Sequence, residues 1–196
     1  MTTETDQRDR TTTRETDTSW QWMAGAAAAG AAIGILALLG RKAAVQAPSA
    51  LAGDWQTALV AEHRAVIKLF DAIQATEDSA TLKRTMLLGK IKFALSKHAI
   101  EEENVIYPAL REAGEIAGAD ELTAEHGYVK QYLYELENMP KNGPDFLAKI
   151  ARFRKDIEEH VAEEEDNLFP SLHRKLGADK NKELTLKMNR EGFKLA

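Results

Sequence analysis

Two stretches, "HAIEEENVIYPAL" at 98–110 and "HVAEEEDNLFPSL" at 160–172, repeat one pattern 62 positions apart: His, two residues, three glutamates, two residues, an aliphatic, an aromatic, Pro, a small residue and Leu. On a helix, position i+4 lies over position i at about 6 Å, so Glu102 stands one turn from His98 and Glu164 one turn from His160. A second repeat precedes each copy. "AEHRAVIK" from 61 and "AEHGYVKQ" from 124 share their opening tripeptide and the valine three residues after the histidine. Each half therefore reads His, a turn, then His-x-x-x-Glu.

Apolar spacing places these histidines on helices. Leu59, Val60, Val66, Ile67, Phe70 and Ile73 recur at threes and fours after Asp54, an N-cap residue, which predicts a helix over 54–76. A second helix should run to about 113 and stop at Gly114, a third from near Asp120 to before "NMPKNGPD", and a fourth from Pro144 to about Leu176. Four amphipathic helices with short loops predict an all-α, antiparallel up-down four-helix bundle. Residues of an antiparallel hairpin share a level when their numbers are symmetric about the turn. The midpoint of His63 and His98 falls between Ala80 and Thr81, and that of His126 and His160 on Gly143, both in expected turns. His63 should then face His98 and His126 should face His160, while His173 lies outside the repeat as a surface residue.

Two buried carboxylates among four imidazoles need a cation, because no inward Lys or Arg is placed to pair with them. Two metals about 3.5–4 Å apart, each held by two imidazoles and sharing Glu102 and Glu164, fit this inventory. Nitrogen and oxygen donors suit iron, manganese or zinc, and the chain has no cysteine to supply sulfur. The candidate ligands are His63, His98, Glu102, His126, His160 and Glu164, with Glu101 and Glu163 as alternatives in a different helix phase. Glu101, Glu103, Glu163 and Glu165 otherwise read as solvated or as acceptors behind the ligands. Tyr107, Phe169, Phe70 and Phe153 read as core. Tyr128, Tyr132 and Tyr134 offer a further oxygen ligand or proton donor. Pro108 and Pro170 should bend their helices at the bundle end or frame an opening to the metals.

These residues resemble the hemerythrin-like proteins of the HHE cation-binding class, over roughly 54–176. The resemblance implies a carboxylate-bridged di-iron centre with an oxo or hydroxo bridge that binds, senses or scavenges O2, NO or peroxide. The alternatives it leaves are turnover of peroxide or NO and a role in iron storage or repair. Oxygen carriers of the class have a third helix with two histidines four apart. Here Leu122 and Lys130 flank His126 at that distance, so six ligands are expected and simple reversible O2 carriage is not.

The N-terminal part has another character. Residues 1–19 hold eight threonines and eight charged side chains, a composition that predicts a disordered tail. Residues 20–40 carry no charge, and with Trp20 and Trp22 at one edge and Arg41 and Lys42 at the other they suggest a transmembrane helix over 20–42. Eight Ala and four Gly make it weakly apolar, and Gly30 and Gly34 form a small-residue face through which two copies would associate. The reading is a single-pass membrane protein with its bundle in the cytoplasm, a soluble cytoplasmic or periplasmic chain being the alternatives. Residues 43–53 read as a linker and 177–196 as a tail that extends or caps the bundle. A net charge of -5 without a basic stripe argues against a nucleic-acid partner.

Overall fold

The computed structural model describes residues 37–38, 40–42 and 45–196. The chain separates into two units at Leu39/Gly40, and the unit Gly40–Ala196 holds the bundle. Its helices are α1 (Trp55–Gln74), α2 (Thr81–Glu101), α3 (Tyr107–Glu112), α4 (Ile116–Asn138), α5 (Pro144–Glu163) and α6 (Phe169–Leu195), with no strand among the described residues. Asp54 caps α1 by accepting a hydrogen bond from the Thr57 amide at 2.8 Å, and Gly114 ends α3 with φ 91°.

Two π-helical turns, Glu102–Ile106 and Glu164–Leu168, join α2 to α3 and α5 to α6. Their cause is in the sequence: Pro108 and Pro170 lack an N–H, and each ring would collide with the carbonyl four residues back, so the register widens by one residue ahead of each proline. The amides of Tyr107 and Phe169 then bond the carbonyls of Glu102 and Glu164. The bend expected at the prolines is therefore a phase shift located at the two central glutamates.

The bundle is square: α1 and α4 each pack against both α2 and α5. Its apolar interior forms two clusters. One contains Trp55, Leu59, Ile106, Leu122 and Phe169, and the other Val66, Phe70, Ile91, Phe146 and Phe153. The four repeat histidines lie between them. At the far end Arg84 is fully buried and donates to the side chain and carbonyl of Thr76 at 2.8 and 3.1 Å and to Asp78 at 2.9 Å. It also reaches the Lys141 carbonyl, tying the loops at 75–80 and 139–143 together.

Several expectations are corrected. No helix among the described residues is long and apolar enough to cross a membrane, so the single-pass membrane placement does not stand. The Ala and Gly content of 20–40 is the physical weakness of that reading, and most of the stretch, with Gly30 and Gly34, lies outside the described residues, as does the 1–19 tail. Arg41 and Lys42 do not act as membrane flanks. Lys42 Nζ donates to the carbonyls of Phe193 and Lys194 at 3.1 and 2.7 Å, satisfying groups at the end of α6, and the Arg41 guanidinium lies over Phe93. The supposed linker is helical over 45–51. Past Leu176, Gly177 breaks α6 with φ 70° and ψ 174°, and the last turns pack Leu184 and Met188 into the core beside Trp55.

Candidate metal centre

Each histidine comes from a different long helix: His63 from α1, His98 from α2, His126 from α4 and His160 from α5. The hairpin symmetry holds. His63 and His98 face each other with Nε2 atoms 2.8 Å apart, and the rings of His126 and His160 are centred 5.1 Å apart. Glu102 and Glu164 lie between the pairs, each fully buried and each turning one oxygen to either side. Glu102 Oε1 is 3.0 Å from His98 Nε2 and its Oε2 is 3.4 Å from His126 Nε2. Glu164 Oε2 is 3.2 Å from His63 Nε2 and its Oε1 is 3.5 Å from His160 Nε2. All six expected side chains are brought together.

Four further carboxylates hold the imidazoles from behind. Nδ1 of His63 donates to Glu165 at 2.8 Å, His98 to Glu62 at 3.0 Å, His126 to Glu103 at 3.0 Å and His160 to Glu125 at 2.6 Å. A carboxylate only accepts, so each Nδ1 carries a ring proton, which in the neutral imidazole leaves Nε2 as the lone pair that points inward. This explains both repeats. In "AEH" the glutamate holds the second histidine of its own half; in the triple glutamate the middle residue enters the centre and the third holds the first histidine of the other half. Glu62 and Glu125 were missed in the sequence, although the repeated tripeptide was their signal.

The same arrangement tests the site for a cation. Glu102 Oε1, Glu164 Oε2 and His160 Nε2 are buried without a hydrogen-bond partner. Such orphans are rare, and four lone-pair nitrogens aimed at two carboxylates are repulsive unless a positive charge sits among them. Two nitrogens at about 2.0–2.1 Å from one metal lie about 3 Å apart at a right angle, near the His63–His98 spacing. The electrostatic balance at the buried groups makes the same demand. Burial pulls the His98 imidazole down, yet Glu102 and Glu62 push it well above its ordinary range. Burial likewise raises Glu102, but His98 and His126 hold it well below the usual carboxylate range. Protons are drawn to the position a cation would take. The donor set fits a metal.

The tyrosine at the centre is Tyr107, read from sequence as core. The π turn brings it onto the face of Glu102, and its hydroxyl lies 2.8 Å from Glu164 Oε1, 3.3 Å from Glu102 Oε2 and 3.1 Å from His126 Nε2. Burial and the two carboxylates push its phenol well above the ordinary value. The expected alternatives do not reach: Tyr128 and Tyr134 are exposed, and the Tyr132 hydroxyl donates outward to Asp156. Glu101 is buried but bonded to Lys97 rather than to the centre, and Glu163 contacts Asn167 on the surface. Leu122 is core and carries no donor, and Lys130 is 68% exposed, reaching only Glu103, so neither position four residues from His126 supplies a ligand to the centre. His173 lies near Asp54 at the surface.

A square helical bundle that concentrates four histidines and two bridging carboxylates between apolar layers defines a cation-binding four-helix protein. Residues 56–172 match the family model of the hemerythrin HHE cation-binding domain, and the chain belongs to that family. It is 26% identical over 129 residues to a hemerythrin-like protein of Schizosaccharomyces pombe, covering 63% of this chain and 62% of the yeast one. It is 25% identical over 122 residues to a DNA nickase of a Nostoc species, covering 62% of this chain and 34% of that protein. The chain thus spans under two thirds of the length of either relative. A hemerythrin HHE cation-binding domain-containing protein from Mycobacterium kansasii has the same fold, with a TM-score of 0.64 at 24% identity over 72% of this chain and 86% of the other.

Proposed function

We propose that the bundle holds two iron ions, with manganese or zinc as substitutes, and uses them to bind, sense or scavenge O2 or a related small oxidant such as NO or peroxide. In this reading His63 and His98 would hold one ion, His126 and His160 the other, Glu102 and Glu164 would be shared between them, and the Tyr107 hydroxyl would stand beside them on the His126 side. The observation that carries the ion pair is the convergence of orphaned carboxylate oxygens on imidazoles whose Nδ1 protons are already committed.

The surroundings favour a ligand of one or two heavy atoms. A cavity of about 20 Å³ lies against all four imidazoles, closed by Val66, Leu95, Ala99, Val129, Ile157 and Val161. That space holds roughly one water-sized molecule, and its apolar wall suits a small neutral oxidant. Iron would supply electron transfer to such a ligand. The chain's own part is to hold the imidazoles in one tautomer, exclude bulk water, and present the Tyr107 hydroxyl as a hydrogen-bond donor at the centre. Because no further imidazole reaches the centre, sensing or scavenging suits it better than reversible carriage. DNA nicking is not part of this reading: the chain carries a net charge of -5 and no basic run to neutralise phosphates.

Metal analysis with a visible spectrum tests it. Full-length protein loaded with Fe(II) without air should contain two irons per chain, and His98→Ala or His160→Ala should lower both metal content and Tm. Tyr107→Phe should keep the fold and change the visible absorption of the oxidised form. One iron or none in well-folded parent protein would overturn the dinuclear reading.

A further inference from the structure

The two halves are related by the repeat, yet Lys97 stands against Glu159 and Tyr107 against Phe169, and of the paired glutamates Glu101 is buried where Glu163 is exposed. On the His98 side the way out is closed. The Glu62 side chain is 16% exposed and receives a hydrogen bond from Lys97 Nζ at 2.6 Å; Lys97, 7% exposed, also donates to the fully buried Glu101 at 2.8 Å. Gln46 Nε2 bridges Glu101 at 3.2 Å and Asn189 at 3.1 Å. Above them α6 lies so close that a Cβ on Gly192 would stand 1.8 Å from Glu101 Oε1. A side chain there would force the Glu101 carboxyl and the Gln46 amide to move. The stretch beyond Gly177 thus seals the His63–His98 pair, and Phe169 lies parallel to the His63 ring.

On the His160 side the corresponding positions are open. Glu159 and Glu125 have side chains 65% and 38% exposed. A cleft of about 350 Å³ between α4 and α5 has His160 in its wall, with Tyr128, Tyr132 and Phe153 on its sides. Val129, Ile157 and His160 line both this cleft and the 20 Å³ cavity against the imidazoles, so two aliphatic side chains separate solvent from the centre. Glu125, Asp156 and Glu159 give the mouth a negative character, offset by Lys155, which pairs with Glu159 at 2.8 Å, and by the nearby Arg152.

We infer that the two metal positions are unequal in exchange: the His126–His160 position exchanges its metal with solution through the α4–α5 cleft, and the His63–His98 position is kinetically closed beneath α6. This rests on the dinuclear reading. Acidic residues at the mouth draw divalent cations inward, as charged clefts raise association rates for ions of opposite sign. Val129 and Ile157 admit what passes by side-chain motion. The Lys97 ammonium occupies, on the closed side, the direction that the cleft leaves open on the other.

The test is metal release and uptake by the full-length protein, which does not depend on any turnover. Protein loaded with two Fe(II) and mixed without air with an excess of a chromogenic Fe(II) chelator should release iron in two phases of equal amplitude, one iron each, at least tenfold apart in rate. The exposed double substitution Asp156→Lys/Glu159→Lys should slow uptake of the first Fe(II) several-fold at low salt, with the difference shrinking at high salt. Val129→Phe should slow the fast phase of release and leave the slow phase unchanged. Two irons released in a single phase, or a fast phase and uptake indifferent to both sets of changes, would overturn the inequality while leaving the dinuclear reading intact. Fewer than two irons in the parent protein would remove both.

Discussion

Replacing Glu62 or Glu125 by Gln should weaken metal binding although neither touches the metal. Each carboxylate accepts the Nδ1 proton of a histidine, Glu62 from His98 at 3.0 Å and Glu125 from His160 at 2.6 Å. Partners of this kind typically contribute 10–100-fold in affinity, about 1.4–2.7 kcal/mol. Their surroundings divide that range. A unit charge about 6 Å from the metal is worth about 3 kcal/mol per metal charge at an effective dielectric near 20, and under about 1 kcal/mol in water. Glu62 is 16% exposed and Glu125 38%, so Glu62→Gln should fall toward a hundredfold loss and Glu125→Gln toward tenfold. The amide oxygen of Gln still accepts from Nδ1, so these variants remove charge and keep ring orientation, whereas Glu→Ala at either position removes both and should cost more. Competition against a chelator of known affinity, with Zn(II) to avoid oxidation, measures the difference. If both Gln variants bind within twofold of the parent, the carboxylates are incidental contacts. If Glu125→Gln costs more than Glu62→Gln, burial does not set the strength of the clamp.

Two stability predictions stand apart from the metal. Burial and the neighbouring Glu62 charge push Glu101 up to about 8, only partly opposed by Lys97. A carboxyl raised on folding contributes stability that is present below its unfolded value of about 4.5 and lost as pH rises through the folded value. Relative to the parent, metal-free Glu101→Gln should therefore be near neutral at pH 4 and clearly more stable at pH 8.5, as read from Tm; equal Tm differences at both pH values would contradict this. Arg84→Ala should cost about 2–3 kcal/mol in urea unfolding, because it strands the Thr76 and Lys141 carbonyls that Arg84 joins, and a loss under about 0.5 kcal/mol would show that the loops do not depend on it.

How much was legible follows from what each feature depends on. Helix positions and the facing of His63 with His98 and of His126 with His160 rest on local periodicity and on symmetry about a turn, both written along the chain. Identification of Glu102 and Glu164 needs only one helical turn of geometry. Tyr107 is different: at i+5 from Glu102 it would face away on an α-helix, and only the π turn ahead of Pro108 brings its hydroxyl to the centre. Glu62 and Glu125 act across helices, so no spacing within one helix reveals them. The 177–196 stretch reads as a tail that extends or caps the bundle, but the surface it covers is not legible. Its buried residues Asn181, Leu184, Met188 and Gly192 recur at threes and fours, but only two of the four are apolar, and beside the core around Trp55 they cover the polar cluster at Gln46 and Glu101.

The repeat itself, compared position by position, carries information that the shared motif does not. Where the halves agree, as at His98 and His160 or Glu102 and Glu164, the chain builds a symmetric set of donors. Where they differ, the substitutions are not neutral. Lys97 is a buried cation while Glu159 is solvated, and Tyr107 places a hydroxyl at the centre while Phe169 places a ring edge against Trp55, 5.4 Å between centroids. A buried lysine needs carboxylates around it, and Glu62 and Glu101 supply them, which is why the first triple glutamate is wholly enclosed at Glu101 and the second is not at Glu163. The pair of ligand sets is thus alike in its donors and unlike in its access, and the difference arises from side chains one turn from the ligands rather than from the ligands themselves.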